Sequence, residues 1–145
     1  MRSISIGIFL TLLLGGCALA PAAPQHACLH RHADEEQDIG YCAALRSGDT
    51  LYLSGTVGTE PMPAAVQAVY ARLGQTLKEQ GLSFADVVKE NVYTTRLDEF
   101  IQAAPLRKAF YGGSYPAATW VGVERLYEKE DVLEVELIAK YPPRR

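Results

Sequence analysis

The C-terminal pair of apolar segments constrains the fold more than any other part of this chain. One is Tyr115-Pro-Ala-Ala-Thr-Trp-Val-Gly-Val123 and the other Asp131-Val-Leu-Glu-Val-Glu-Leu-Ile-Ala139. Their apolar runs and alternation predict two closing strands. Side chains repeat every second residue along a strand, so Glu134 and Glu136 project from the same face. A carboxylate in the middle of an apolar strand is costly to bury unless it is paired or has a task.

Upstream, the pattern alternates between strand and helix. Ala27 to Arg31 predicts a short first strand, and the acidic stretch Ala33 to Asp38 predicts a loop. Tyr41 to Leu45 and Thr50 to Leu53 predict strands around the turn cluster Arg46-Ser-Gly-Asp49. Ser54-Gly55-Thr56 and a loop through Glu60-Pro-Met-Pro63 follow. Ala64 to Gln80 reads as a helix, because Val66, Val69, Tyr70, Leu73 and Leu77 fall at helical spacing and Gly81 stops it. Ser83 is a capping residue ahead of a strand from Val87 to Thr94. Leu97 opens a second helix, which Pro105 is expected to kink or delay and Gly112-Gly113 to end. The order β-β-β-α-β-α-β-β is that of an α+β domain with a mixed sheet. Two helices cover only one sheet face. Leu51, Val121 and Val135 are read as apolar surface on this thin domain, and self-association through the open face is the simplest way to cover it.

The first residues address the chain. Met1-Arg2 is a short basic start, and Ile4 to Leu14 is an apolar run too short to span a membrane. Leu14-Gly15-Gly16-Cys17 resembles a bacterial lipobox, so residues 1–16 are expected to be a lipoprotein signal peptide and Cys17 the lipidated first residue. The alternative is an ordinary secretory leader cleaved after Ala18 or Ala20. Ala18, where an Asp would retain a lipoprotein at the inner membrane, points to the outer membrane facing the periplasm. Residues 17–26, with Pro21-Ala-Ala-Pro24, form a stiff tether, and residues 27–145 form one domain. With 17 Asp and Glu against 14 Lys and Arg there is no basic stripe for nucleic acid. Cys28 and Cys42 sit in an oxidising compartment, as a disulfide or as two free thiols. Cys28, His30 and His32 share one side of an extended strand, an arrangement open to Zn or Cu, but a short N-terminal His cluster is more often solvated. No metal and no cofactor are expected.

Several segments, in order, resemble the Rid family of reactive imine and enamine deaminases. They are Gly40-Tyr41, Leu51-Tyr-Leu-Ser-Gly-Thr56, Ala85-Asp-Val-Val-Lys89 with Val92-Tyr93, Leu97-Asp-Glu-Phe100, Tyr115-Pro116 and Leu133-Glu-Val-Glu-Leu-Ile-Ala139. The resemblance implies a chorismate-mutase-like α+β fold with two helices on one sheet face. It also implies a homotrimer with small-molecule sites between subunits. Tyr41 matches a pocket tyrosine, Ser54-Gly55 a Ser-Gly lining the cleft, and Glu136 the carboxylate that positions the attacking water. Thr119 and Trp120 fall where the family often has Ser or Thr and then Cys. Ala118 stands where active deaminases carry the Arg that grips a substrate carboxylate in a bidentate fork. Ala104 stands where many members have Asn.

Two function classes follow. One is an imine/enamine hydrolase with altered substrate preference, Glu136 serving as base or water positioner. The other is a non-catalytic, lipid-anchored trimer that binds a small molecule, with Glu136 a structural carboxylate and Trp120 a packing residue or a stacking platform. Arg96 and Arg125 are read as solvated, or as substitute anchors for a carboxylate. An endoribonuclease role ascribed to some relatives fits an acidic chain poorly. The lipobox reading gives the first testable outcome. Cys17→Ser is expected to abolish lipid labelling and release the protein from the membrane fraction. A substituted protein that still pellets with outer membrane contradicts it.

Overall fold

Alternation builds the sheet and helical periodicity covers it. The computed structural model describes residues 26–59 and 61–143, so the leader, Cys17 and most of the tether lie outside the described residues. The elements are β1 (His26–Leu29), α1 (Ala33–Asp38), β2 (Ala44–Ser47), β3 (Thr50–Gly58), α2 (Met62–Glu79), β4 (Val87–Thr94), α3 (Leu97–Tyr111), β5 (Ala117–Gly122) and β6 (Leu133–Lys140). The sheet order is β1-β2-β3-β6-β4-β5. Its pairs are antiparallel except β4–β5, the parallel pair that α3 crosses over to join. No helix among the described residues is long and apolar enough to cross a membrane.

The elements depart from the sequence reading at four places, each with a local cause. Ala33–Asp38 is a helix rather than a loop. The Glu36 carboxylate reaches back to the N–H groups of Arg31 (3.1 Å) and His32 (3.2 Å) and to His30 Nδ1 (3.0 Å), satisfying donors at the helix start. β2 begins at Ala44 rather than Tyr41, because Tyr41 and Cys42 turn toward β3 instead of continuing the ladder. β3 runs on to Gly58 instead of ending at Leu53. α3 passes through Pro105 without a break in its assigned span. The bond Pro105 cannot donate would end on the Ile101 carbonyl, and both residues are exposed, so water can serve it.

One sheet face is dry. Leu51, Leu53, Val92, Leu133, Val135 and Leu137 pack under Val66, Val69, Tyr70, Leu73 and Leu77 of α2 and under Phe100 of α3. Leu51 and Val135 therefore belong to the core and not to an apolar open face. Strand alternation requires this, since Val135 lies between Glu134 and Glu136 and must point away from both. The open face carries Asn91 opposite Glu136, Tyr93 opposite Glu134, and Tyr52 opposite Ile138. β5 is the outer strand, and every residue of it is exposed.

A buried ion pair ties α3 to the sheet. Glu90 is fully buried in the middle of β4, and its carboxylate accepts from Arg107 Nε (3.0 and 2.8 Å), Arg107 Nη2 and the Tyr70 hydroxyl. Burial works against the Arg107 charge, and Glu90 more than compensates, holding it above its ordinary value. Breaking a buried pair strands a charge, whereas replacing both partners does not. Arg107→Ala is therefore expected to cost about 3–5 kcal/mol in urea unfolding, and Glu90→Leu with Arg107→Met much less. Equal losses in both variants contradict this.

Candidate active site

The site grows from an irregularity in β3. Leu53 pairs with Leu137 and Thr56 with Val135, so Ser54 and Gly55 together face the single residue Glu136. This β-bulge interrupts the ladder and turns backbone groups outward. The Gly55 carbonyl accepts the Tyr41 hydroxyl at 2.9 Å, and the Ser54 hydroxyl donates to the Cys42 carbonyl at 2.6 Å. Gly55 is needed for space, because a Cβ there would lie 1.8 Å from Glu134 Oε1. Cys42 is joined to Cys28 by a disulfide with the Cα atoms 5.7 Å apart, anchoring the Tyr41 segment to β1.

Beside the bulge, Glu136 is held from β4. Asn91 Nδ2 donates to Glu136 Oε1 at 2.6 Å, and the Tyr93 hydroxyl donates to the same oxygen at 3.2 Å. Glu136, Asn91, Ser54, Tyr52 and Lys89 line a recess of about 170 Å³ on the open face. Lys89 Nζ also donates to the Thr119 hydroxyl at 2.7 Å, which brings Thr119 to the rim. Burial pushes the Tyr93 phenol up, and the Glu136 charge and hydrogen bond push it further, so Tyr93 stays a donor. Burial likewise raises Tyr41, against the lowering effect of the Ser54 hydroxyl. Burial also raises Glu134, with Asp131 and Glu136 adding like-charge repulsion. An oriented carboxylate among hydroxyl groups can position a water and take its proton.

The remaining candidate residues lie elsewhere. Ala118 pairs with buried Glu90 and Trp120 with buried Val92, so both point to the helix side of the sheet, away from Glu136. Trp120 packs edge-on against Phe100 at 5.1 Å and beneath the Arg107 guanidinium at 5.3 Å, and it remains 36% exposed. Glu90, the residue paired with Ala118, neutralises Arg107. Arg125 binds the Leu126 and Tyr127 carbonyls of its own loop, and Arg96 pairs loosely with Glu99 at 3.7 Å. His30 is engaged with Glu36 at 3.0 Å, and among the described residues no group of three or more His, Cys, Asp or Glu is placed to hold a metal ion. Asn91, Tyr93 and Lys89 escaped the sequence reading. Their period-two spacing was visible, but only the sheet order makes β4 the neighbour of β6.

Comparison with known proteins accords with this geometry. Residues 35–141 match the family model described as Endoribonuclease L-PSP. A 2-iminobutanoate/2-iminopropanoate deaminase of Dermatophagoides farinae is 30% identical over 112 residues, covering 70% of this chain and 87% of that protein. The mouse protein of the same name is 31% identical, covering 71% of this chain and 82% of its own. The crystal structure of Rv2704 from Mycobacterium tuberculosis, of the YjgF/YER057c/UK114 family, superposes with a TM-score of 0.73 at 23% identity, covering 79% of this chain and 98% of that one. The α+β fold with helices on one sheet face is thus the fold of that family. The chain belongs to the Endoribonuclease L-PSP family, which includes the YjgF, Rid and RutC proteins.

The raised Glu134 carboxyl gives a pH prediction. An acid whose pKa is higher folded than unfolded binds its proton better in the folded state. Its ionisation therefore opposes folding as pH rises from the ordinary glutamate value of 4.5 through the folded value. Glu134→Gln should stabilise the chain at pH 7.5 and give no gain at pH 3.5, read by urea unfolding. A gain that persists at pH 3.5, or a loss at pH 7.5, contradicts the assignment.

Proposed function

We propose that the protein hydrolyses reactive imine or enamine metabolites, with Glu136 positioning the attacking water. The observation that carries this reading is Glu136 itself. It is an ionisable carboxylate on the open sheet face, clamped by Asn91 and Tyr93 and sharing its recess with Ser54. A water held by Glu136 gives its proton to the carboxylate as its oxygen bonds to the imine carbon. Glu136 returns that proton to the nitrogen to give the carbinolamine, whose hydroxyl proton then passes through the carboxylate to the nitrogen as the C–N bond breaks, releasing ammonia and leaving a carbonyl product. An enamine first takes a proton on carbon to become the imine. Nothing in these steps calls for a cofactor. The relatives named as 2-iminobutanoate/2-iminopropanoate deaminases support the reaction class.

The substrate preference is proposed to differ from theirs because position 118 is Ala. A small 2-imino acid needs its carboxylate anchored, and Arg107, whose partner Glu90 pairs with Ala118 across β4 and β5, is already neutralised. The proposal includes a homotrimer. β5 is an exposed edge strand, so a second copy packed there would complete a small-molecule site across the subunit boundary and bring position 118 to it. It also includes attachment to the outer membrane through lipidated Cys17, facing the periplasm, with no nucleic-acid partner.

Ala118→Arg tests the preference. Hydrolysis of 2-iminobutanoate generated in situ should rise by roughly 30- to several-thousand-fold, the worth of a desolvated charged hydrogen bond of about 2–5 kcal/mol. Rapid wild-type turnover of that substrate would show that the carboxylate anchor lies elsewhere. No gain in Ala118→Arg, with trimers intact by light scattering, favours the non-catalytic binding module.

A further inference from the structure

A second concavity lies on the other side of the bulge. β2 pairs with β3 only as far as Leu53, so among the described residues the half of β3 beyond it has no strand neighbour along that edge. Between that edge, the Arg31–Ala43 segment and α2 lies a cleft of about 420 Å³, a size that suits a small ligand. It touches the Glu136 recess only at Leu53 and Ser54.

Two guanidinium groups converge on this cleft. Arg31 Nη2 donates to the Arg72 carbonyl at 2.9 Å, which sets it against α2, and Arg72 Nη2 donates to the Val57 carbonyl, which sets it against β3. Each guanidinium carries five N–H donors in a planar fork, and each spends one in this way. Among the described residues, neither is in an ion pair with a carboxylate. Among the described residues, Glu36 is the one carboxylate lining the cleft, and its oxygens are already taken by the N–H groups of Arg31 and His32 and by His30. Among these residues the cations therefore outnumber the anion, and the anion is turned inward to the chain. The Tyr41 hydroxyl and His32 line the same wall. Unneutralised charge of one sign in a low-dielectric concavity focuses its field on whatever enters. Guanidinium forks match carboxylate and phosphate oxygens in pairs.

The position of Arg31 is itself fixed. The Cys28–Cys42 disulfide and the β1–β2 ladder hold the strand that leads to it, and the Glu36 carboxylate holds its backbone N–H. Arg72 projects from the middle of α2, at the level of Thr76, whose hydroxyl bonds the Arg72 carbonyl at 3.1 Å. Arg31 lies in the short loop between β1 and α1, where its backbone N–H and its guanidinium are both held, so the pair is positioned before any ligand arrives.

We propose that this cleft binds the oxyanion group of a small molecule, a carboxylate or a phosphate, between Arg31 and Arg72. The cleft adjoins the Glu136 recess at Leu53 and Ser54, and its occupation does not require hydrolysis there.

Calorimetric titration of the full chain with pyruvate, and separately with inorganic phosphate, tests the proposal in low-salt buffer. At least one anion should bind, with affinity falling as salt rises. Arg31→Gln and Arg72→Gln should each weaken that binding about tenfold or more, while Arg125→Gln, whose guanidinium is tied to its own loop, should leave it unchanged. Binding of pyruvate alone identifies a carboxylate ligand, and binding of phosphate alone a phosphate. Arg72→Lys serves if Arg72→Gln fails to fold, since it keeps the charge and loses the fork, and it should also weaken binding. Absence of binding by both anions, or undiminished binding in either the Arg31 or the Arg72 variant, overturns the proposal.

Discussion

The β-bulge at Ser54-Gly55 is the constraint on which the site depends. Two residues of β3 face one of β6, and that mismatch has three consequences. It turns the Gly55 carbonyl out to meet Tyr41. It leaves Ser54 at the rim of the Glu136 recess. It also lets the Glu134 carboxylate press against a backbone that carries no side chain. A regular ladder would pair Ser54 with Glu136 and continue, and the space that now opens on both sides of the strand would be lost. The two neighbouring glutamates then have different circumstances. Glu134 is pushed toward its neutral form by burial and like charge, whereas Glu136 is clamped by two donors.

The dry side of the sheet holds this arrangement rigid. Tyr70, Phe84, Phe110 and Tyr111 form an aromatic cluster between the helices, with ring centroids 5.0–6.5 Å apart in its contacts, including that of Tyr111 to Tyr115. The Glu90–Arg107 pair is set into the same layer. A buried pair of this kind adds little net stability over an apolar core, but it fixes which face of α3 meets β4. It also neutralises Arg107 beside β5, so that charge serves structure. On the far side of the bulge, Arg31 and Arg72 are in no ion pair among the described residues.

Much of this was legible in the sequence. The long helices, β4 and the two closing strands follow from periodicity, and the pairing of Glu134 and Glu136 on one face follows from alternation alone. What escaped depended on contacts between distant residues. α1 forms because Glu36 captures N–H groups of Arg31 and His32, which no helical period announces in six polar residues. Leu51 and Val135 could have been placed in the core by alternation, since Val135 lies between two open-face glutamates. The Glu90–Arg107 pair left a trace, a Glu inside a β-branched strand and an Arg on the helix stripe of Phe100, Ala103 and Tyr111, but only the fold joins them. Asn91 and Tyr93 become partners of Glu136 through a sheet order that places β6 between β3 and β4. The sides taken by Ala118 and Trp120 likewise depend on the parallel register of β5 against β4.

The central claim is that Glu136, held at the bulge, does chemistry on an imine. It is tested most directly by ammonia release from imines generated in situ, with amine oxidase supplying carboxylate-free imines and amino-acid oxidase supplying 2-imino acids. The wild-type chain should accelerate release from at least one imine over buffer alone, and Glu136→Gln should lower that acceleration by about a hundredfold or more while its unfolding transition stays intact. Equal rates for the two proteins, or a wild-type rate no faster than buffer for every imine, would contradict the account.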